Sequence, residues 1–172
     1  LMDLLLGALT SEIPELHRNG GGVHFIGART RFSAALQTGM REAERLTQAN
    51  TRLRLNVAAG YGGRRDLVEA ARWLAGGVAA GQILPADIDA ALLGQHLALG
   101  DGPDPELFIR TGGKPRIRNF LLWNLAYTEL YFTNTPWPDI DAGGLQTALH
   151  WFAERERRFG GVRELSEAKS GA

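Results

Sequence analysis

Apolar residues recur along the chain at two spacings, and these spacings predict helices that alternate with strands. Spacings of three and four positions, as in amphipathic helices, occur in 1–18, 33–49, 66–81 and 85–97. Short apolar or alternating runs predict strands at Val23–Ile26, Leu53–Ala58, Glu106–Ile109 and Asn119–Trp123. Asp66 followed by Glu69 resembles a capping box, which places the start of the third helix at that point.

This alternation favours an α/β fold with right-handed crossovers and a mainly parallel central sheet flanked by helices. A chain of 172 residues without a repeat or linker suits one domain, which we place at residues 1–161. Residues 162–172 are small and polar and predict a disordered tail. Leu1 lies inside a helical pattern with no capping residue before it, so we expect that an upstream segment is missing.

The overall composition excludes several kinds of site. Lys plus Arg and Asp plus Glu number 19 each, so the net charge is zero. A protein without net positive charge has no overall electrostatic attraction for nucleic acid or an anionic membrane. We therefore expect membrane contact to be peripheral at most. The absence of cysteine excludes disulfides and thiolate metal sites and fits a cytoplasmic protein. No apolar run reaches the length of a membrane span. Because the net charge is zero, an anion site requires a local cluster of basic residues.

A local cluster of positive charge follows the third predicted strand. Four cations occur within nine residues with no acid among them: Arg110, Lys114, Arg116 and Arg118. Arg110 lies at the carboxyl end of the strand, where open α/β sheets bind ligands. Gly112 and Gly113 follow, and their backbone N–H groups can approach an anion closely. Guanidinium groups suit phosphate oxygens, so the segment predicts an anion site without identifying its substrate, although a solvated basic loop explains the charge equally well.

Glu129 is a second candidate because it is the only acid between Arg110 and Asp139. A carboxylate within an apolar and aromatic run is costly unless it is paired or bound to a metal. One interpretation is an ion pair with a nearby arginine. The other is one carboxylate of a Mg²⁺ site, whose further ligands are commonly phosphates and water.

Three groups of motifs resemble the cis-prenyltransferases, the undecaprenyl diphosphate synthase family. The C-terminal signature is matched by Ile109-Arg110-Thr111-Gly112-Gly113, Arg116-Ile117, Asn119-Phe120-Leu121-Leu122-Trp123, Ala126-Tyr127, Glu129-Leu130-Tyr131-Phe132-Thr133 and Trp137-Pro138-Asp139. The stretch Leu55–Arg64 is similar to the central motif, with Gly60 where Asn is usual. Arg155–Gly161 is similar to the C-terminal ending. The resemblance extends over residues 1–161.

The resemblance implies a transferase that adds isopentenyl diphosphate to an allylic diphosphate, commonly farnesyl diphosphate, with cis geometry, giving a long polyprenyl diphosphate for cell-wall lipid carriers. It implies a homodimer, Mg²⁺ as cofactor and no nucleic acid. By position, Arg110 and Arg116 match the arginines that bind isopentenyl diphosphate, with Gly112, Gly113, Ile117 and Arg118 beside them. Glu129 matches a Mg²⁺ carboxylate. Arg158 and Gly160 match residues that reach the diphosphate of the partner subunit.

The sequence also departs from the family pattern. It contains neither Asp-Gly-Asn-Gly-Arg-Trp, whose Asp is catalytic in the family, nor Phe-Ser-x-Glu-Asn-Trp. The first strand and the catalytic Asp are therefore expected to be absent, and this chain alone to be inactive. It is then a fragment, a non-catalytic subunit that forms a heterodimer with a full-length homologue, or a decayed paralogue. A general anion or nucleic-acid binder is the remaining alternative, which the zero net charge disfavours.

Overall fold

The computed structural model describes the backbone of residues 2–155 and the side chains of residue 7 and residues 11–155. Within this range the elements in chain order are α1 Met2–Arg18, β1 Gly21–Ile26, α2 Ala34–Thr47, β2 Leu53–Ala58, α3 Gly63–Ala79, α4 Ala90–Gln95, β3 Leu107–Arg110, β4 Glu129–Phe132 and α5 Ala142–Ala153. Short 3₁₀ turns occur at Arg29–Arg31, Pro85–Asp87 and Trp137–Asp139. No helix in this part of the chain combines the length and the apolar character needed to cross a membrane.

The predicted α/β class and the parallel strand direction are confirmed. β1 pairs with β2 in parallel, from Gly21 opposite Leu53 to Ile26 opposite Ala58. β3 pairs with β4 in parallel, from Leu107 opposite Glu129 to Arg110 opposite Phe132. Among the described residues these ladders form two two-stranded sheets.

The chain divides into two compact units. The first contains Leu1–Pro103 and Arg118–Trp123, and the second contains Asp104–Ile117 with the described chain from Asn124 onward. The single domain over residues 1–161 stays a prediction, and the predicted tail at 162–172 lies outside the described residues.

The core of the first unit lies between β1 and the two helices on either side of it in sequence. Its buried side chains are Ile13, Val23, Phe25, Leu36, Met40, Ala43 and Ala59. Met40 is completely buried. Burial of this apolar face is the main force that holds α1 and α2 against the strand, since each fully buried aliphatic side chain contributes about 1.5–3 kcal/mol.

Side chains of α2 satisfy the edge of β1 that does not face β2. The Val23 N–H donates to the Thr47 hydroxyl at 3.0 Å, and the Phe25 N–H donates to the Glu44 carboxylate at 2.8 Å. Glu44 and Thr47 are three residues apart and therefore lie on one face of the helix. An edge strand with unpaired N–H groups invites aggregation, and here the helix supplies the missing acceptors.

Glu44 also binds Arg29, which follows β1. Both oxygens of the carboxylate accept from the Arg29 guanidinium, and the guanidinium donates to the Phe25 carbonyl at 2.8 Å. Burial alone would raise the pKa of Glu44. The hydrogen bonds from Arg29 and Phe25 and the charges of Arg29 and His24 outweigh that effect, so the pKa lies below its ordinary value.

Two predicted elements are wrong. Asn119–Trp123 is not a strand, because Leu121 has a left-handed φ of 44° and the segment forms a bend and a turn. The fourth strand is Glu129–Phe132 instead. Asp66 does not open α3, which begins at Gly63. The Asp66 carboxylate is buried and accepts from the Tyr61 hydroxyl at 2.7 Å and the Ala98 N–H at 3.0 Å.

Other helix boundaries also differ. The helix predicted over 85–97 is a 3₁₀ turn followed by α4, which begins after Asp89, whose carboxylate accepts from the Leu92 N–H at 2.8 Å. α5 was not predicted. It begins after Asp141, whose carboxylate accepts from the Gly144 N–H at 2.8 Å. Both starts use an aspartate N-cap.

Candidate functional site

The basic segment begins where β3 ends. Arg110 is the last residue of the strand and lies at its carboxyl end, as predicted. Residues 107–110 are partly buried, whereas every residue from 112 to 119 is exposed. The strand thus holds Arg110 in a packed element, while Lys114, Arg116, Ile117 and Arg118 follow on a loop that solvent and ligands can reach.

The glycine pair forms a tight turn that is fastened to the chain after β4. Gly112 and Gly113 have φ values of 80° and 70°, a region that residues with a side chain adopt at a cost. The Gly112 N–H donates to the Thr135 carbonyl at 3.1 Å, and the Gly113 N–H donates to the Thr133 carbonyl at 3.0 Å. These N–H groups are therefore engaged within the chain, which leaves anion binding by this turn to side chains.

The structure brings Arg110 and Arg116 together. The Arg110 guanidinium donates to the backbone carbonyl of Arg116 and so closes the loop between them. The Arg116 N–H donates to the Lys114 carbonyl at 2.8 Å. A guanidinium carries several N–H donors in a planar fork, so the bond to Arg116 leaves Arg110 able to donate to an anion as well. The loop is therefore cationic and exposed, and its backbone at Arg116 contacts the Arg110 side chain.

Glu129 lies at the other end of the β3–β4 ladder. It is the first residue of β4 and pairs with Leu107, three residues from Arg110. At the rise of a β-strand this separates the two positions by about 10 Å along the ladder. The Glu129 carboxylate faces the Arg155 guanidinium, with 3.6 Å between Oε2 and Nε, and Arg155 stacks over the Trp151 ring at 4.1 Å. Glu129 therefore has an arginine partner, and its role as a Mg²⁺ carboxylate stays a prediction.

The described residues do not fit a metal site on their own. Among them no group of three or more His, Cys, Asp or Glu side chains could hold a metal ion. Glu129 offers a single carboxylate, and an arginine already neutralises it. The other predicted contacts to a substrate, Arg158 and Gly160, lie outside the described residues.

Asn119 is a residue of this region that the sequence did not single out. Its backbone carbonyl accepts from the Gly63 N–H at 3.0 Å, and its side-chain oxygen accepts from the Arg64 N–H at 2.7 Å. It thereby caps α3, whose own N-cap residue, Gly62, has no side chain to do so. The available signal was a helix that starts on two glycines and therefore needs a cap from elsewhere.

Comparison with known proteins gives a consistent family match. The sequence matches the family model described as "Putative undecaprenyl diphosphate synthase" over residues 1–160. A ditrans,polycis-undecaprenyl-diphosphate synthase, (2E,6E)-farnesyl-diphosphate specific, from Xanthomonas axonopodis pv. citri is 60% identical over 160 residues, which cover 93% of this chain and 62% of that protein. A protein of the same name from Pseudomonas aeruginosa is 51% identical over 170 residues, covering 99% of this chain and 68% of that protein.

Solved structures match as well. The lavandulyl diphosphate synthase of Lavandula x intermedia, in complex with dimethylallyl diphosphate, has a TM-score of 0.90 at 39% identity, covering 92% of this chain and 69% of that one. A probable undecaprenyl diphosphate synthase from Campylobacter jejuni has a TM-score of 0.79 at 28% identity, covering 92% and 72%. The chain thus spans about 62% of the length of the Xanthomonas protein.

Proposed function

Because the chain belongs to the undecaprenyl diphosphate synthase family of cis-prenyltransferases, we propose that it carries the isopentenyl diphosphate-binding part of such an enzyme. The complete enzyme would add isopentenyl units to farnesyl diphosphate with cis geometry in the cytoplasm, giving a polyprenyl diphosphate for cell-wall lipid carriers. One observation supports this site above the others. The Arg110 guanidinium, at the carboxyl end of β3, is hydrogen-bonded to the backbone carbonyl of Arg116, which lies on an exposed loop without an acid.

The chemistry explains why two arginines are useful. In the reaction the C–O bond of the allylic diphosphate breaks and its electron pair leaves with the diphosphate. The π electrons of the isopentenyl unit form the new C–C bond, and a proton is then lost from that unit. The diphosphate group of the isopentenyl diphosphate keeps its C–O bond in this step, so it serves as a handle by which the double bond is oriented. Two guanidinium groups can grip this handle through paired charge-assisted hydrogen bonds.

The remaining predicted residues take supporting roles in this proposal. Ile117 and Arg118 flank the diphosphate, and Gly112 and Gly113 shape the turn that carries it. Arg158 and Gly160 would reach the diphosphate of a second subunit in a homodimer. The Mg²⁺ expected for the family would take its ligands from the diphosphates, from water and from chain outside the described residues, with Glu129 available only if it leaves Arg155.

The proposal is tested by titrating the full chain with isopentenyl diphosphate in a calorimeter. A hydrogen bond to a charged group contributes about 1.5–3 kcal/mol, so Arg116→Ala should weaken binding by about tenfold to a hundredfold. Arg72→Ala is the matched control because it removes an equal charge from an exposed position on α3. If the Arg116→Ala and Arg72→Ala variants bound isopentenyl diphosphate with equal affinity, the proposal that this loop binds the diphosphate would be wrong.

A non-catalytic subunit of a heteromeric enzyme is the second candidate. We expect the chain alone to bind isopentenyl diphosphate without incorporating radiolabelled isopentenyl units into polyprenyl products. Co-purification with a homologue that carries the missing motif, together with restored incorporation, would favour the subunit. Incorporation by the chain alone would contradict this second candidate.

A further inference from the structure

Helix α3 begins against a segment that comes much later in the chain. Its N-cap position, Gly62, has extended backbone and makes no side-chain capping bond. The first two N–H groups of the helix, from Gly63 and Arg64, donate to the backbone carbonyl and the side-chain oxygen of Asn119. Unpaired N–H groups at a helix start need such acceptors, so Asn119 completes the first turn of α3.

The start of α3 and the segment from Asn119 to Leu122 pack closely together. A Cβ atom on Gly62 would lie 2.9 Å from the Asn119 Nδ2, and one on Gly63 would lie 2.9 Å from the Leu122 Cγ and 3.1 Å from the Leu122 N. Leu121 is buried while it holds a φ of 44°, a conformation that a non-glycine residue keeps only where its surroundings impose it. The segment from Asn119 to Leu122 is therefore fixed in one position on α3.

A second set of contacts fixes the same segment from the other side of the glycine pair. The ring of Phe120 meets the ring of Tyr61 edge to face, with 5.7 Å between centroids. The Tyr61 hydroxyl donates to Asp66, whose other oxygen accepts from the Ala98 N–H. Asp66 is buried on α3, so its bond with the Tyr61 hydroxyl connects the ring of Tyr61 to the helix.

Because Asn119 is fastened to α3, it also restrains the residues that come just before it in the chain. Arg116, Ile117 and Arg118 directly precede it. At its upstream end the loop is fastened by β3 and by the Gly112 and Gly113 bonds. Asn119 fastens the downstream end. Residues that directly precede a fastened position lose less conformational freedom when a ligand orders them, and the ligand then binds more tightly.

We propose that Asn119 is a positioning residue for diphosphate binding, and that it acts by holding Arg116 in the arrangement that grips the ligand. This inference rests on the proposed function. It assigns the Gly62-Gly63 pair to the docking of residues 119–122, rather than to direct contact with phosphate.

Three variants of the full chain test the proposal, with isopentenyl diphosphate as the probe in calorimetric titrations. Asn119→Ala removes the side-chain acceptor, and Gly63→Ala drives a Cβ into Leu122 while leaving Asn119 intact. Gly76→Ala is the control, because its Cβ meets nothing within 4 Å on the same helix. All are measured well below the thermal midpoint, with circular dichroism to confirm folding. If Asn119→Ala folds poorly, the affinity of Gly63→Ala for isopentenyl diphosphate decides the test.

We expect Asn119→Ala and Gly63→Ala to weaken binding by about tenfold, and Gly76→Ala to leave it unchanged. In an Arg116→Ala background Asn119→Ala should have no further effect, because it acts through Arg116. A purely structural role would lower the thermal midpoint and leave the affinity of the folded protein unchanged, which overturns the inference. If Arg116→Ala itself leaves the affinity unchanged, the proposed function fails instead, so the two failures are distinguishable.

Discussion

Replacement of Thr47 by valine tests whether α2 supplies the hydrogen-bond acceptor at the edge of β1 that does not face β2. Thr47 is completely buried. Its hydroxyl accepts from the Val23 N–H at 3.0 Å and donates to the Ala43 carbonyl at 2.9 Å. Valine has nearly the same shape but no hydroxyl, so Thr47→Val leaves the Val23 N–H buried without its acceptor.

The size of the effect follows from these contacts. An unsatisfied buried donor costs about 1–3 kcal/mol. The methyl group that replaces the hydroxyl returns at most about 0.8 kcal/mol through apolar burial. We therefore expect Thr47→Val to lower the free energy of unfolding by about 0.2–2 kcal/mol. Thr47→Ser is the matched control, because it keeps the hydroxyl and removes one methyl group, at a cost of about 1 kcal/mol.

Since the two variants lose comparable stability, amide hydrogen exchange separates them. Urea denaturation gives the free energies of unfolding, and the exchange rate of the Val23 amide reports the bond itself. Protection at Val23 should fall in Thr47→Val and persist in Thr47→Ser. A Thr47→Val protein as stable as the parent, with Val23 still protected, would refute the assignment of Thr47 as the acceptor at this edge.

Three further predictions follow from contacts elsewhere in the chain. Gly113→Ala should destabilise the fold by about 1–2 kcal/mol in urea denaturation, because its φ is 70° and the new Cβ would lie 2.9 Å from the Asn134 Oδ1. Glu44→Gln should cost most stability near neutral pH and least near pH 3 in pH-dependent denaturation. The folded pKa of Glu44 lies below the ordinary 4.5, so its contribution is present above 4.5 and is lost as the pH falls through the folded value. A double-mutant cycle on Glu129 and Arg155 should give a coupling of at most about 1 kcal/mol, because the pair is well exposed, and a larger value would contradict that estimate.

Elements with a strong apolar stripe were predictable from sequence. α2 repeats apolar positions on one face, and β2 alternates side chains, so both were placed within a few residues. α5 was missed because two glycines occupy its first turn and obscure the helical pattern. Its start is fixed by the Asp141 cap, a local contact that periodicity does not detect.

The Asn119–Trp123 error has a specific cause. An apolar run of four residues fits a buried strand, but periodicity cannot say whether a partner strand exists. Here the run packs on the start of α3, and Leu121 adopts a left-handed backbone that no strand allows. The correct interpretation depends on a contact with Gly63, which is more than fifty residues away in the chain.

In the candidate site, too, contacts between residues close in sequence were predictable, whereas contacts that depend on strand pairing were not. Arg110 and Arg116 are six residues apart, so the sequence alone shows that they belong to one short segment, and the Arg110 guanidinium contacts the Arg116 backbone. The position of Glu129 depends on the register of β3 against β4. That register places Glu129 opposite Leu107 and beside Arg155, which no local pattern could reveal.

The most direct test of the central claim is a double-mutant cycle on Arg110 and Arg116, measured by calorimetric titration with isopentenyl diphosphate. If both guanidinium groups hold one diphosphate, each alanine variant should bind at least about tenfold more weakly than the parent. The double variant should lose less affinity than the sum of the two single losses, because Arg110 also holds the backbone of Arg116. Affinities that match those of the Arg72→Ala control in all three variants would contradict the account.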